Sequence, residues 1–216
     1  MKLKKLLKNE TRPVRSRHSR SSRKARKYKI RHIMSIYFGV PGAGKTTFAA
    51  WLAKRDMKRG GRVWSNVPIT GTYVLDPQND IGKWSITDGR VIIDEAGIEY
   101  DARAHKTFAA SQTKFYKYHR HNELSVDIFS QGYNDMDLKL RTLAQRLYVV
   151  KRTLLPWFIK RKRIAKRVGI NELSKEIIDE YFFVPLSTKY IFAPAVWKLF
   201  NTLSRDNLPE KKWEKW

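Results

Sequence analysis

Gly39-Val40-Pro41-Gly42-Ala43-Gly44-Lys45-Thr46 is the stretch on which the reading of this chain turns. It satisfies the pattern G-x-x-x-x-G-K-[ST] at every fixed position. It also stands between an apolar run, Ile33 to Phe38, and a segment with helical spacing, Thr46 to Lys58. A strand that enters a glycine-rich turn and leaves as a helix brings several backbone N–H groups toward one point. Glycines at 39, 42 and 44 permit the curl, and converging N–H groups suit phosphate oxygens. Lys45 is placed to reach the β- and γ-phosphates, Thr46 to ligate Mg2+, and the helix start to add its positive dipole. The expectation is a site for ATP and Mg2+ in which Gly39, Pro41, Gly42, Ala43, Gly44, Lys45, Thr46 and Thr47 surround the nucleotide.

Working outward, Phe48, Ala49, Leu52 and Ala53 share one face of the segment after the loop, and Gly60-Gly61 ends it. Further strands are expected over Arg62–Val67, Arg90–Ile93, Ser125–Ser130 and Leu147–Val150, with helices over Thr107–His121 and Met136–Ala144. This alternation implies an α/β P-loop NTPase with a mostly parallel sheet covered by helices on both faces. The organisation expected is a basic, disordered arm over residues 1–32, an ATPase core over 33–152, and a small basic C-terminal appendage over 153–216. Lys151 to Ile170 carries eight basic residues and no acid around Leu154, Leu155, Trp157, Phe158 and Ile159. Those apolar residues read as the appendage's core, with stacking of Trp157 and Phe158 on bases as the alternative. Asn171 to Tyr181 reads as an acidic helical patch. No internal repeat is visible.

Val91-Ile92-Ile93-Asp94-Glu95 reads as a buried strand ending in two carboxylates. An Asp so placed holds the magnesium shell, and an adjacent Glu can orient and deprotonate a water. A nucleotide kinase has little use for that Glu. Asp127-Ile128-Phe129-Ser130-Gln131 reads as a strand with a polar end. Gln131 is the expected sensor of the γ-phosphate, and Ser130 is second choice. A ring-forming ATPase also needs an arginine from its neighbour. Arg103, Arg120, Arg141 and Arg146 lie in the core, and Arg120 and Arg141 are the expected candidates. His119 and His121 lack metal-ligand spacing and read as surface or helix-end residues. Asp135 and Asp137 read as helix N-terminal carboxylates favoured by the dipole.

Composition sets the class. The chain has 216 residues with 45 Lys+Arg against 20 Asp+Glu, a net charge of +25 and a sequence pI near 10.3. Such an excess points to a polyanion, nucleic acid first and an anionic membrane second. The first 32 residues hold fourteen Lys or Arg and one acid, about half of the excess. With 42% hydrophobic and 12% aromatic residues there is material for a core, so wholesale disorder is excluded. No cysteine is present, which excludes disulfide frameworks, zinc ribbons and thiol catalysis and fits a reducing cytoplasm. No stretch reaches the roughly 20 apolar residues of a membrane span. The nearest, Tyr190 to Leu203, is interrupted by Pro194 and Lys198.

The glycine-rich loop, Val91-Ile-Ile-Asp-Glu-Ala96, and Arg120-His-Asn-Glu-Leu-Ser-Val-Asp-Ile-Phe-Ser-Gln131 together resemble the zonular occludens toxin (Zot) domain. This domain is the assembly ATPase of filamentous phages and is related to the FtsK–HerA motors. The likeness covers roughly residues 33–152. It implies a motor in the host cytoplasm, peripheral at the membrane at most, that couples ATP hydrolysis to packaging, assembly or extrusion of single-stranded phage DNA. It also implies a homo-oligomeric, hexameric ring. By position, Lys45 and Thr46 would hold nucleotide and metal, Asp94 and Glu95 would drive hydrolysis, and Gln131 would sense. Many family members carry a membrane-spanning helix after the ATPase domain, and this sequence shows none. Other readings that stay open are another AAA-like, replication-initiation or plasmid-transfer ATPase, a nucleotide kinase, and a non-catalytic nucleic-acid scaffold.

Overall fold

The computed structural model describes residues 31–100, 109–170 and 177–200. The expectations for residues 1–30, Arg103, residues 171–176 and residues 201–216 lie outside the described residues. In chain order the elements are β1 (Met34–Phe38), α1 (Lys45–Met57), β2 (Arg62–Ser65), β3 (Tyr73–Val74), β4 (Gly89–Ile93), α2 (Ala96–Glu99), α3 (Ala110–Lys117), β5 (Leu124–Ser130), α4 (Leu138–Leu143), β6 (Arg146–Arg152), β7 (Phe158–Ile170), β8 (Ile177–Phe183) and β9 (Lys189–Phe192). Two short 3-10 turns, Ala193–Ala195 and Trp197–Leu199, follow.

The nine strands of the described residues join one sheet, in the order β3-β2-β4-β5-β1-β6-β7-β8, with β9 also paired to β7. From β3 to β6 every pairing is parallel, as the strand–helix alternation requires. β5 lies between β1 and β4, so the three strands that carry the sequence motifs are neighbours. Side chains alternate across the sheet with period two. Met34, Ile36, Val91, Ile93, Val126 and Ile128 bury one face against Phe115, Tyr116 and Leu140 of α3 and α4. Tyr37, Ile92, Phe129, Tyr148 and Val150 bury the other against Phe48, Ala49, Leu52 and Ala53 of α1. Each large apolar side chain fully removed from water contributes about 1.5–3 kcal/mol. Tyr37 is stacked between Phe129 and Tyr148, with ring centroids 4.7 and 4.8 Å away, and burial pushes its phenol above the ordinary range.

One polar cluster sits in the α1 core. Arg90 donates from Nε to Asp56 Oδ2 at 2.5 Å and pairs through Nη1 with Asp127, while Arg55 reaches Asp56 Oδ1 at 2.8 Å. Asp56, Arg90 and Asp127 are all buried, so the cluster pins the end of α1 to β4 and β5.

Three expectations need correction. The sheet does not close at β6: β7, β8 and β9 extend it antiparallel, so the division foreseen near residue 150 falls inside one hydrogen-bonded sheet. Ile177 to Tyr181, read as part of a helix, belongs to β8, where Ile177–Phe183 pairs residue by residue with Ile170–Ile164. Leu154, Leu155 and Trp157 form no core. They stand in the exposed β6–β7 connection, and of the five apolar residues only Ile159, on β7, is buried. Ile159, Ile191, Ala193 and Val196 pack instead into the α1 core. Among the described residues no helix is long and apolar enough to cross a membrane.

Candidate active site

Parallel strands point their C-terminal ends to one edge of the sheet, and there the chain places its polar residues. β1 runs directly into Gly39. A Cβ at Gly39 would strike the backbone carbonyl of Val150 in β6, so only glycine lets the loop leave beside that strand. Gly42 and Gly44 have φ of +74° and +93°, the left-handed region that glycine adopts without strain. Gly44 is also closed on its outer side, because an added Cβ would lie 2.9 Å from Cγ1 of Ile159. Ala43 N–H donates to Val40 O at 3.0 Å, and α1 starts at Lys45 with no side-chain cap, leaving its first N–H groups to the loop. Thr47 is buried under the loop with Ala43, while Pro41 is exposed at its tip.

Lys45 is buried and donates to the carbonyl oxygens of Gly39 at 3.0 Å and Val40 at 3.4 Å. Its ammonium is therefore held across the loop by two neutral acceptors, which an anionic phosphate oxygen outcompetes through a charge-assisted bond.

Thr46 Oγ1 donates to Asp94 Oδ2 at 2.6 Å, joining the loop to the end of β4. Asn66, the residue after β2, clamps the Asp94 backbone from both sides. Its Oδ1 accepts from Asp94 N–H at 2.8 Å, and its Nδ2 donates to Asp94 O at 2.9 Å. Burial pushes the Asp94 carboxyl above its ordinary range, the hydrogen bond from Thr46 opposes this, and the Glu95 charge adds to it. A buried carboxylate so penalised calls for a cation. A hydroxyl and a carboxylate in contact are hard oxygen donors, and Mg2+ binds through one or two such groups plus substrate phosphates. The residues fit the ion.

Glu95 has φ 53° and ψ 43° although it is not glycine. A left-handed residue of this kind costs about 1–3 kcal/mol and persists where the surroundings impose it. Gln131, just past β5, donates from Nε2 to Glu95 Oε2 at 3.3 Å. The structure thus brings together Lys45, Thr46, Asp94, Glu95 and Gln131. Ser130 is buried, with its Oγ behind Gly97, and so leaves the exposed position to Gln131.

The arginines fall elsewhere. Arg120 is exposed in the turn that leads into β5, at the opposite end of the parallel strands from the loop. Arg141 on α4 donates to Asn134 Oδ1 at 3.0 Å and lies over the Tyr133 ring. Arg146 opens β6 opposite Ser35, also at the far end. The sequence reading missed Arg152 at the end of β6, whose Nη2 lies 3.9 Å from where a Gly42 Cβ would stand. It also missed Asn66, the polar end of β2. The signal for both was position: each ends a strand that runs parallel to β1.

His119 is a helix-end residue but is buried rather than on the surface, its Nδ1 2.7 Å from Tyr116 O. His121 is exposed against the Tyr118 ring. Asp137 caps α4 by accepting from Lys139 N–H at 2.7 Å, while Asp135 precedes the helix beside Gly97 and Gly132.

No protein-family model matches the chain, and no curated protein matches it by sequence. Among solved structures it is similar to the genome packaging NTPase B204 from Sulfolobus turreted icosahedral virus 2, in complex with ATP-gammaS, at 11% identity, with TM-score 0.45, over 70% of this chain and 98% of that one. It is also similar to B204, the DNA-packaging ATPase from Sulfolobus turreted icosahedral virus, at 11% identity, with TM-score 0.44, over 69% of this chain and 97% of that one. Neither likeness is near enough to argue from. The N-terminal domain of zonular occludens toxin from Neisseria meningitidis matches with TM-score 0.54 at 17% identity, over 78% of this chain and 98% of that domain. The α/β P-loop NTPase fold expected from the sequence resemblance is therefore the fold the chain has.

Proposed function

We propose that the chain is a Mg2+-dependent ATPase that couples hydrolysis to moving nucleic acid, in the manner that the Zot resemblance implies: packaging, assembly or extrusion of phage DNA in the host cytoplasm. One observation carries the ATPase reading. The Thr46–Asp94 bond and the Glu95–Gln131 contact meet beside the glycine loop, so phosphate, metal and water-handling groups share one edge. Backbone N–H groups of the glycine loop and of the start of α1, together with Lys45, bind the phosphates. Thr46 and Asp94 hold Mg2+, which when bound neutralises phosphate charge. Glu95 takes the proton of the attacking water, and Gln131 holds Glu95 in place and registers the γ-phosphate. A nucleotide kinase, which delivers the phosphoryl group to an acceptor, needs no such pair.

The net charge of +25 supports nucleic acid as the partner, bound through its phosphates. Assembly as a homo-oligomeric ring, six-membered by the same resemblance, lets a neighbour add Arg120 or Arg141 to an edge that already holds the chain's own Arg152. Of these two, the exposed Arg120 is available to a neighbour, whereas Arg141 is engaged by Asn134 and Tyr133.

The test is steady-state ATP hydrolysis with and without circular single-stranded DNA, at two salt concentrations. The expected result is stimulation that fades as salt rises. Turnover indifferent to DNA overturns the nucleic-acid part. Glu95→Gln is expected to keep binding of a fluorescent ATP analogue while turnover falls about 10²–10⁴-fold. A variant that hydrolyses at the original rate removes Glu95 as the general base.

A further inference from the structure

Among the described residues the antiparallel end of the sheet leaves one face uncovered, and its composition is unusual. Cross-strand partners share a face. Val149 pairs with Lys162, Lys151 with Lys160, and Lys160 in turn with Tyr190. Ile164 pairs with Phe183, and Lys166 with Tyr181. This face therefore carries Lys151, Lys160, Lys162 and Lys166 interleaved with Tyr181, Phe183 and Tyr190. The rings are open to solvent, Tyr190 to 61%, Phe183 to 49% and Tyr181 to 47%. Lys162 Nζ lies 4.6 Å from the centroid of the Phe183 ring, and Tyr181 meets Tyr133 edge-on at 6.1 Å. The stretches 147–152, 158–166, 181–183 and 189–192 contain no Asp or Glu.

The face is concave. A cavity of about 260 Å³ lies over Lys151, Lys160, Lys162, Phe183, Thr188 and Tyr190. A second, of about 660 Å³, shares Lys160 and Tyr190 with it and continues past Phe158 to Arg152. The two form one trough that runs from β8 to the residue whose guanidinium stands beside Gly42.

Resting on the proposed nucleic-acid motor, we propose that this trough is the track for a single-stranded nucleic acid, phosphates on the lysines and unpaired bases against Tyr181, Phe183 and Tyr190. Exposed rings set between cations at strand spacing are what single strands use, because every base has a π-face and only an unpaired base can lay it on a side chain. A duplex hides its base faces and could use the lysines alone. A second copy of the same face is disfavoured because four lysines would meet four lysines. A flat bilayer does not enter a trough whose rings line the floor. The trough also touches the active site mechanically. Ile159, between Phe158 and Lys160 on β7, packs on Gly44, so a strand held on this hairpin bears on the phosphate loop.

The experiment compares the full-length chain with Tyr190→Ala, Phe183→Ala and the Lys160→Gln/Lys162→Gln pair. Fluorescence anisotropy is measured with labelled oligo(dT) and a duplex of equal length at two salt concentrations, with a fluorescent ATP analogue as the control for a folded loop. The expected result is that each ring variant weakens oligo(dT) about five- to a hundredfold, a loss that persists at high salt where charge contributions elsewhere in the chain are screened, and leaves duplex binding unchanged. The lysine pair should instead flatten the salt dependence. Wild-type affinity in the ring variants, with oligo(dT) still bound by the parent, overturns the trough and leaves the motor reading standing. A parent that binds no nucleic acid overturns both. Ring variants that lose anionic vesicles, or that change oligomeric state by sedimentation at unaltered oligo(dT) affinity, assign the face to a membrane or a second copy and overturn the proposal.

Discussion

On β4 and β5 every residue from Gly89 to Ile93 and from Leu124 to Ser130 is buried, whereas along β7 and its partners β8 and β9 only Ile159 and Ile191 are buried among the described side chains. Both regions belong to one hydrogen-bonded sheet. The difference is cover. α1 and α2–α4 sandwich the parallel strands, so a polar group there is either at a strand end, where it builds the site, or paired inside, as in Asp56–Arg90–Asp127. Among the described residues the antiparallel strands are covered on the α1 side alone, and their other face can offer charge and aromatic surface to a partner.

The sharpest way to break this comparison is to remove one cation from each region. Arg90→Met leaves Asp127 as a buried, unneutralised carboxylate and Asp56 still paired with Arg55, and is expected to cost about 3–5 kcal/mol in chemical denaturation. Lys162→Met, on the open face, is expected to change stability by less than about 0.5 kcal/mol. Equal costs would mean that the two faces are not differently solvated.

A smaller contrast uses two apolar residues on either side of the turn into β7. Ile159→Ala opens a cavity under Gly44 and is expected to cost about 2–5 kcal/mol and to weaken binding of a fluorescent ATP analogue. Leu155→Ala, in the exposed connection, is expected to stay within about 0.5 kcal/mol with nucleotide binding intact. An Ile159→Ala variant that keeps its nucleotide affinity would uncouple the hairpin from the phosphate loop.

The same contrast explains what was legible in the sequence. The parallel half was readable because burial on two faces forces apolar runs, and each run ended in a residue of the candidate site: Gly39 after Phe38, Asp94 after Ile93, Gln131 after Ser130. Asn66 escaped because the expected strand was drawn through it to Val67. β7 escaped because Lys160-Arg161-Lys162-Arg163 shows no alternation. The face toward α1 accepts Arg161 as apolar cover, its guanidinium 4.2 Å from the Tyr148 centroid, while the other face takes lysine for solvent. A charge run with two different environments has no period to read. Arg152 was hidden in the wider basic stretch Lys151 to Ile170, and Ile177–Tyr181 looked helical because its acids concealed the pairing with β7.

His119 tests the parallel half at its far end with the smallest effect. Its ring is buried beneath the start of β5, donates from Nδ1 to Tyr116 O, and has a lowered pKa. Burial is the main cause, and the nearby Arg120 and His32 charges add to it, while hydrogen bonds to the Tyr116 and His32 backbones oppose it. A lowered folded value means that the unfolded chain takes the proton first. The contribution of His119 is therefore fully present above the unfolded pKa near 6.5 and is lost as pH falls through the folded value, at no more than about 1.4 kcal/mol per pH unit. His119→Gln keeps a donor for Tyr116 O and cannot titrate. Its denaturation midpoint should therefore fall less than the parent's between pH 7 and pH 5. Parallel profiles for the two would mean that water reaches the ring, and that exclusion of solvent weakens toward the end of the sheet away from the nucleotide.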